Sequence, residues 1–321
     1  RGGGKWKTLE HGGVIFPPLY QPHGKPLRYD GEPIELTPAQ EEVATMFAAM
    51  RETDYAKNTI FRKNFMASWK PLLAKTEAGK QVRDLSKCDF SIIAVHLEQL
   101  KEAKKAMTKE QKADERAKKD SLEAPCAYAK IDGRNEKVGN FRVEPPGLFR
   151  GRGQHPKMGL LKSRIWPRDI TINISKGAPV PPVPDFGDGK KHKWAEVVHD
   201  NTVTWLAKWK DSINGEEKYV MLAANSSWKG ISDMAKYEKA RELKKHIEKI
   251  RTDYMRGIRG SDGATQQMAT AVYLIDRLAL RVGNEKNTDE EADTVGCCSL
   301  RVEHVKLDAG ENQLHLNFLG K

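Results

Sequence analysis

The basic segment at residues 150–176 has the side chains best suited to chemistry on a polyanion. It opens with Arg150-Gly-Arg152-Gly-Gln-His155-Pro-Lys157 and contains seven lysines and arginines against one acid, Asp169. Glycines between arginines let the backbone approach a phosphate chain, while the guanidinium groups donate paired hydrogen bonds to its oxygens. The segment therefore predicts contact with DNA or RNA, although Arg-Gly dipeptides also occur in disordered RNA-binding tails.

Sequence motifs for nucleotide, metal or serine-hydrolase chemistry are missing. There is no G-x-x-x-x-G-K-[ST], no G-x-G-x-x-G after a predicted strand and no G-x-S-x-G. The best clustered acids, around Asp289 and Asp293, lie in a predicted loop, and we interpret them as solvated charges. Any chemistry on phosphodiesters would therefore use arginine to offset charge on the phosphorane oxygens and lysine to protonate the leaving oxygen. We expect no cofactor and no metal.

The overall charge also points to a polyanionic partner. The 321 residues have a net charge of +11 and a pI near 9.3, which favours binding to nucleic acid or to an anionic membrane. No stretch approaches the ~18 apolar residues of a membrane span, and we expect no membrane partner. The four cysteines include no C-x-x-C pair, so we expect reduced thiols and no zinc site.

In the first half of the chain, the patterns predict short strands, then helices, then strands again. Thr37-Pro38 is a typical helix start, and amphipathic helices are predicted at 55–75 and 88–105. Residues 101–123 are charged on all faces and predict a solvated helical projection. Alternating residues from 126 onwards predict a hairpin that turns at Asp132-Gly133.

The second half is predicted as a three-stranded meander followed by helices. The meander covers residues 197–221, with turns at 199–201 and 214–215, and two helices separated by 257–263 follow it. The second of these ends at Arg281, where a cation would offset the helix dipole. A final hairpin has strands at 299–307 and 313–320, so that Lys321 lies at its end. Taken alone, Arg281 would be a helix C-terminal cation and Lys321 a surface residue.

Several longer segments together resemble the eukaryotic DNA topoisomerase IB family along the whole chain. They are Lys5-Trp-Lys7, Leu9-Glu-His11, Ile60-Phe-Arg-Lys-Asn-Phe65, Leu85-Ser-Lys-Cys-Asp-Phe90, Glu144-Pro-Pro-Gly-Leu-Phe-Arg150-Gly-Arg-Gly, His155-Pro-Lys157-Met-Gly159, Leu278-Ala-Leu-Arg281, Gly283-Asn-Glu-Lys286, Asp293-Thr-Val-Gly-Cys-Cys-Ser-Leu-Arg-Val-Glu-His304 and Phe318-Leu-Gly-Lys321. The Arg1-Gly-Gly-Gly start, Gln154 and the Thr288-Asp-Glu-Glu loop are similar to the large subunit of the two-subunit kinetoplastid enzyme. We expect that branch, with the nucleus as its location and mitochondrial or kinetoplast DNA as a further one.

The resemblance implies a mechanism without ATP or an essential metal. A tyrosine becomes linked to a 3′ phosphate, the cut strand swivels, and the 5′ hydroxyl reseals it. Arg281 matches the arginine on the scissile phosphate, and Lys321 matches the general acid for the 5′ oxygen. The positions that match duplex DNA contacts are Arg150, Arg152, Lys157, Lys162, Lys218, Tyr219, Met221, Asn284, Lys286 and Thr294. Lys157 and Glu290 match opposing lips of a clamp, which an ion pair between them would latch.

The sequence departs from the family pattern at the nucleophile. None of its eight tyrosines follows Ser-Lys-x-x, and the family's second arginine and its histidine would lie beyond Lys321. We therefore expect DNA binding without cleavage, with the tyrosine in a C-terminal segment or on a small subunit. A non-catalytic DNA clamp and a basic RNA-binding scaffold stay open as alternatives. A tyrosine recombinase would share the chemistry but would need site-specific readout.

The architecture implied by the resemblance is an α+β protein that forms a bilobed DNA clamp. An N-terminal α/β cap lobe would carry the helical projection, and a mainly helical catalytic lobe would carry a β-hairpin. We expect a core subdomain at 1–20 and 108–226, a helical cap subdomain at 21–107, and an incomplete catalytic subdomain at 227–321. Wrapping a duplex requires both lobes, which fits the spread of basic segments along the chain.

Overall fold

The computed structural model describes residues 4–311 and 313–320, and it confirms the α+β class. Within these residues, helices and short strands occur in separate runs, and the strands form five small sheets. The chain divides into two compact units, Arg1–Arg150 with Lys157–Ile231, and Gly151–Pro156 with Ser232–Lys321. Below these are called the first unit and the second unit. The subdomain boundaries and the bilobed clamp expected from the sequence stay predictions.

The first of two cores in the first unit is built mainly from helices. The chain begins with β1 (Leu9–His11), which belongs to the second core. The elements of the first core are β2 (Leu27–Tyr29), β3 (Glu32–Ile34), α1 (Pro38–Ala48), α2 (Asp54–Lys57), α3 (Thr59–Leu73), α4 (Glu77–Lys80), β4 (Cys88–Asp89) and α5 (Ser91–Ala106). The predicted start of α1 is confirmed, because Thr37 and Gln40 form a capping box. Trp69 on α3 is fully buried, and its indole Nε1 donates to the Gln40 carbonyl at 3.1 Å. A polar bond and aromatic packing therefore join α1 to α3.

The exposed helical projection is confirmed as exposed and helical, but it is interrupted. α5 ends at Ala106, and α6 (Lys109–Ala127) starts again after the extended residue Thr108. Thr108 accepts a hydrogen bond from the Gln111 amide at 3.2 Å, and the Gln111 side chain accepts from the Thr108 amide at 2.9 Å. This capping box offsets the loss of helical bonds at the break. The projection predicted at 101–123 is therefore made of two helices, the end of α5 and most of α6.

The second core of the first unit lies between two sheets. β5 (Tyr128–Ile131) and β6 (Arg134–Lys137) form the predicted hairpin, and β1 pairs with β5 on its other side. Asp132 and Gly133 have φ values of 48° and 81°, so the turn has the left-handed geometry that Asp-Gly favours. The Asp132 carboxylate also accepts from the amides of Lys7 and Thr8, which fixes the chain before β1.

The meander predicted at 197–221 is wrong in its topology. β9 (Thr171–Asn173) lies between β10 (Glu196–Val198), which is parallel to it, and β11 (Ala207–Lys210), and β12 (Glu217–Val220) completes the sheet. The Asn173 amide nitrogen donates to the carbonyls of Asp200 and Trp205. These hydrogen bonds join carbonyl groups of the loop after β10 to Asn173 on β9. The loop therefore packs against β9 and does not form a hairpin turn. The hairpin of β11 and β12 agrees with the prediction.

The second unit contains two helices and a short hairpin. α7 (Ser227–Ile258) and α8 (Gly263–Leu278) flank the predicted linker, and β13 (Val305–Asp308) pairs with β14 (Gln313–Leu316). α8 ends three residues before Arg281, because Ala279 takes a left-handed conformation at φ 53°. The long strand expected at 299–307 is also wrong, since 3₁₀ turns at Cys297–Ser299 and Val302–His304 precede β13.

Candidate nucleic-acid interface

The arginine-glycine segment begins in a loop whose base is fixed to the first core. β7 (Gly147–Leu148) pairs with β8 (Leu161–Lys162), and the Gly159 amide donates to the Phe149 carbonyl at 2.7 Å. Asn64 on α3 donates to the Met158 carbonyl at 2.8 Å. A Cβ on Gly159, where φ is 86°, would lie 2.1 Å from the Phe61 carbonyl oxygen. The loop base therefore packs directly on α3, and Arg150 leaves it as an exposed residue.

Arg152 lies between two glycines whose backbone conformations only glycine adopts at low energetic cost. Gly151 and Gly153 have φ values of 67° and 53°, in the left-handed region. A Cβ on Gly151 would lie 2.4 Å from that of His155, and one on Gly153 would lie 2.6 Å from the Leu319 side chain. The backbone thus turns sharply on both sides of Arg152, which is exposed to solvent. This arrangement leaves its guanidinium available to an anion.

The positive charges of Lys162 and Lys218, both in the first unit, act on the Asp211 carboxylate. Burial acts to raise the pKa of the Asp211 carboxyl. Hydrogen bonds from the Asn214 and Ile213 amides, with the nearby charges of Lys218 and Lys162, hold it below its usual value. Lys162 also forms an ion pair with Glu144. Sequence reasoning missed Asp211, although Asp211-x-x-Asn-Gly is a turn signal before β12.

Tyr219 and Met221 lie on the strand face opposite Lys218, because side chains alternate along a strand. They are 41% and 40% exposed, whereas Val220 between them is fully buried. The Asn140 side chain donates to the Tyr219 carbonyl at 2.7 Å and accepts from the Met221 amide at 2.9 Å. Asn140 therefore fixes this edge of β12, and sequence reasoning missed it because the bond joins residues far apart in the chain.

Four of the predicted site residues of the second unit line one cleft of about 430 Å³. They are Arg281, Asn284, Lys286 and Thr294. This surface is called the Arg281 cleft below. The Lys286 ammonium donates to the Thr294 hydroxyl at 2.6 Å and lies 3.3 Å from the Glu291 carboxylate. Arg281 is an exposed residue. The cleft therefore combines two cations with hydroxyl and amide groups, which suits an anionic ligand.

Arg281 is held by backbone pairing rather than by a helix. The Cys297 amide donates to the Arg281 carbonyl, and the Cys298 amide donates to the Val282 carbonyl, both at 2.7 Å. Because α8 ends at Leu278, the interpretation of Arg281 as a helix-terminal cation is wrong. The segment at 295–298 instead fixes the arginine's backbone, while its side chain is left at the cleft.

The remaining predicted residues have simpler placements. Lys157 is half-buried after the loop in the first unit, and Glu290 is exposed in a turn of the second unit, where its amide donates to the Asn287 carbonyl at 3.0 Å. An ion pair between these two stays a prediction. Lys321 lies outside the described residues. DNA contact by all of the site residues also stays a prediction.

The described residues contain no cluster of metal-ligating side chains, and two of their cysteines stay protonated thiols. Across 4–311 and 313–320, no group of three or more His, Cys, Asp or Glu side chains could hold a metal ion. Burial raises the pKa of the thiol to about 12 at Cys88 and to about 11 at Cys126, so neither is a thiolate at neutral pH. A search of the same residues for helices long and apolar enough to cross a bilayer found none.

Exposed cations on a glycine-rich loop and at the Arg281 cleft form the kind of surface that suits a polyanionic ligand. Comparison with known proteins is more specific. A family model described as "Eukaryotic DNA topoisomerase I, DNA binding fragment" matches residues 4–222, and one described as "Eukaryotic DNA topoisomerase I, catalytic core" matches residues 225–321. The chain belongs to the eukaryotic DNA topoisomerase I family.

Individual relatives agree with this assignment. The chain is 55% identical to DNA topoisomerase 1 beta of Arabidopsis thaliana over 318 residues, which is 99% of this chain and 34% of that protein. It is 52% identical to DNA topoisomerase 1 of Candidozyma auris, of which it covers 42%, and 47% identical to that of Homo sapiens, of which it covers 41%. Each alignment includes 99% of this chain. The chain thus spans between about a third and two-fifths of the length of these relatives.

Proposed function

We propose that this chain is the DNA-binding core of a type IB topoisomerase that relaxes supercoiled DNA. The observation that carries the proposal is the Arg281 cleft, where residues from 281–286 and 294 converge in a member of this family. A guanidinium and an ammonium at one cleft can offset the charge that develops on the oxygens of a phosphodiester in its transition state. Neither ATP nor a metal is needed for that role.

The chemistry is a pair of balanced transesterifications. A tyrosine oxygen attacks the scissile phosphorus, the P–O bond to the 5′ oxygen breaks, and a 3′-phosphotyrosine forms. Arg281 contacts the scissile phosphate, and Lys321 gives a proton to the departing 5′ oxygen. In the reverse step the 5′ hydroxyl attacks the phosphotyrosine and the tyrosine leaves. Because one ester bond replaces another, the reaction consumes no cofactor.

Duplex DNA would be bound through its phosphates along both units. The exposed arginines of the loop after β7, Lys162 and Lys218 of the first unit, and the cations of the Arg281 cleft supply these contacts. Phosphate contacts carry no sequence information but depend steeply on salt. An enzyme that relaxes DNA wherever supercoils form needs this kind of binding.

The tyrosine would come from another polypeptide segment, either a longer C-terminal part or a small subunit that carries Ser-Lys-x-x-Tyr. Support comes from the second unit, where large apolar side chains are exposed: Met234, Tyr237, Leu243, Met268, Leu278, Val282, Val302, Leu307 and Leu314. Large apolar side chains that stay exposed in one unit are candidates for contact with a partner chain. We favour the two-subunit kinetoplastid arrangement, with nuclear and kinetoplast DNA as the location.

Plasmid relaxation tests the proposal. We expect no relaxation by this chain alone, and relaxation without ATP or added metal when a polypeptide with the missing family segments and Ser-Lys-x-x-Tyr is added. Arg281→Ala should reduce the rate by about 10²–10³-fold, the usual cost of losing one charge-stabilising donor. Arg259→Ala, which removes an exposed arginine of the same unit, is the matched control and should leave the rate unchanged.

A non-catalytic duplex clamp is the second candidate, favoured by one observation. None of the eight tyrosines in the chain follows Ser-Lys-x-x. Salt-sensitive binding to duplex DNA with no relaxation in the mixture would support this clamp and contradict the enzymatic proposal. Stronger binding to RNA than to duplex DNA would instead favour a basic RNA-binding scaffold.

A further inference from the structure

Two glycines of the second unit approach each other so closely that neither can carry a side chain without moving the backbone. A Cβ on Gly296 would lie 2.5 Å from the Gly283 Cα and 2.6 Å from its nitrogen. A Cβ on Gly283, where φ is 78°, would lie 2.6 Å from the Gly296 Cα. Every one of these neighbours is a backbone atom, so no flexible side chain can make room.

The close approach includes the backbone of Arg281 itself. The same Cβ on Gly296 would lie 2.7 Å from the Arg281 carbonyl oxygen. That oxygen accepts the hydrogen bond from the Cys297 amide at 2.7 Å. The methyl group of an alanine at 296 would therefore press on the Arg281 carbonyl oxygen, which accepts the hydrogen bond from Cys297. The Ser299 hydroxyl, which accepts from the Gly296 amide at 3.0 Å, keeps the glycine in place.

The other end of this short segment holds the chain that follows the final hairpin. The Val295 amide donates to the Leu319 carbonyl at 2.9 Å, two residues before Lys321 in sequence. Residues 295–298 thus pair with the backbone of Arg281 and Val282 on one side and of Leu319 on the other. One segment fixes both chain stretches that lead to the proposed catalytic cations.

We propose that Gly296 is a positioning residue for Arg281. The inference rests on the proposed type IB activity and adds a residue to it. By allowing the backbones at 281–283 and 295–298 to touch, Gly296 sets where the Arg281 guanidinium meets the scissile phosphate. Gly296 itself contacts no substrate. Its effect is therefore exerted through the charge on that phosphate, which distinguishes it from a merely structural glycine.

The test compares two DNA substrates in single-turnover cleavage by the reconstituted enzyme. One has a normal scissile phosphodiester, and the other has a methylphosphonate, in which a methyl group replaces one nonbridging oxygen and removes the negative charge that the Arg281 guanidinium would contact in the bound substrate. On the phosphodiester we expect Gly296→Ala to slow cleavage about 10²-fold, the usual cost of a 1 Å misplacement. On the methylphosphonate its rate should equal that of the wild type within about twofold. DNA affinity should be unchanged on both.

Matched variants complete the design. Gly263→Ala, in the same unit but with no atom within 4 Å of its Cβ, should cleave both substrates at the wild-type rate. Combining Gly296→Ala with Arg281→Ala should add little to the loss from Arg281→Ala alone, because both act through one contact. If Gly296→Ala does not fold, Ser299→Ala, which introduces no clash, should show the same substrate-dependent loss.

The failures are distinguishable. A wild-type mixture that does not relax plasmid overturns the proposed activity, and the positioning role with it. Relaxation by the wild type with equal losses on both substrates, or with losses that multiply in the double variant, overturns the positioning role alone. Wild-type rates for Gly296→Ala on the phosphodiester would do the same.

Discussion

His11 is held in its neutral form by two hydrogen bonds of opposite kind. Its Nε2 lies 3.0 Å from the Asn173 carbonyl and so donates, and its Nδ1 accepts from the Gly13 amide at 3.1 Å. Protonation of Nδ1 would place two donors against each other. Burial lowers the pKa of His11 from 6.5, although hydrogen bonds to backbone groups of Asn173 and Leu206 act to raise it. The ring therefore couples folding of the first unit to pH.

The sign of this coupling follows from the depressed pKa. Below about pH 6.5 the unfolded chain binds a proton that the folded chain resists, so stability from His11 is present above that pH and is lost as pH falls. Between about pH 7.5 and 5.5 the loss should not exceed about 1.4 kcal/mol. Denaturant unfolding should show a smaller pH dependence for His11→Gln than for the wild type. The exposed His246→Gln is the control, and equal pH dependence in all three proteins would contradict the expectation.

At the scale of elements, the loop after β7 should contribute directly to the salt dependence of DNA binding. Arg150 and Arg152 are exposed on either side of Gly151. Each phosphate contact contributes about 0.9 to the magnitude of the slope of log K against log salt. The slope of the Arg150→Gln and Arg152→Gln double variant should therefore be smaller in magnitude by about 1.8. The slope is measured by titrating labelled duplex at several salt concentrations.

A control for that titration removes the same charge elsewhere. Lys190 and Lys191 are exposed in the chain between β9 and β10, and their replacement by glutamine should leave the slope unchanged. Equal losses in the two double variants would mean that net charge, rather than the loop, determines the slope. If neither double variant changes the slope, the loop is not part of the DNA interface.

Elements with local signals were predictable from the sequence, and those set by distant contacts were not. The Asp132-Gly133 hairpin and the Thr37 cap are confirmed because their signals lie within four residues of each other. The meander failed because β9, which precedes β10 by more than twenty residues, inserts beside it. The end of α8 was misplaced because Ala279 takes a left-handed conformation without the glycine that usually marks it.

The candidate site also contains residues that could be predicted from the sequence and residues that could not. Family resemblance identified Arg281, Asn284, Lys286 and Thr294, and the structure brings all four to one cleft. Nothing in their spacing could show that Gly296 touches Gly283, because twelve residues of irregular chain separate the two glycines. Asn140 was missed for the same reason, because its partners Tyr219 and Met221 are distant in the chain. Asp211 was missed although its hydrogen-bond donors, the Ile213 and Asn214 amides, are local.

At the scale of the whole molecule, the two units differ strongly in how much apolar surface they bury. The first unit contains both large cores, with fully buried residues such as Trp69, Phe61 and Ile172. In the second unit, the buried apolar residues among those described are Tyr254, Ala269, Ala292, Val295 and Cys297. Because burial of apolar surface is the main source of stability, the second unit should be the less stable of the two.

Hydrogen exchange followed by mass spectrometry can measure the stability of the two units separately. For the chain alone, we expect amides at 232–320 to exchange faster than those of α1, α3 and β9. Adding the tyrosine-bearing polypeptide at 100 times its Kd should stabilise the second unit by about 2.7 kcal/mol, because a ligand that binds only the folded form shifts unfolding by mass action. A polypeptide with its apolar residues replaced by serine is the control. Uniform exchange across the chain before addition would contradict the difference in stability between the two units. Protection that appears in the first unit instead would show that the exposed apolar side chains of the second unit are not where the partner docks.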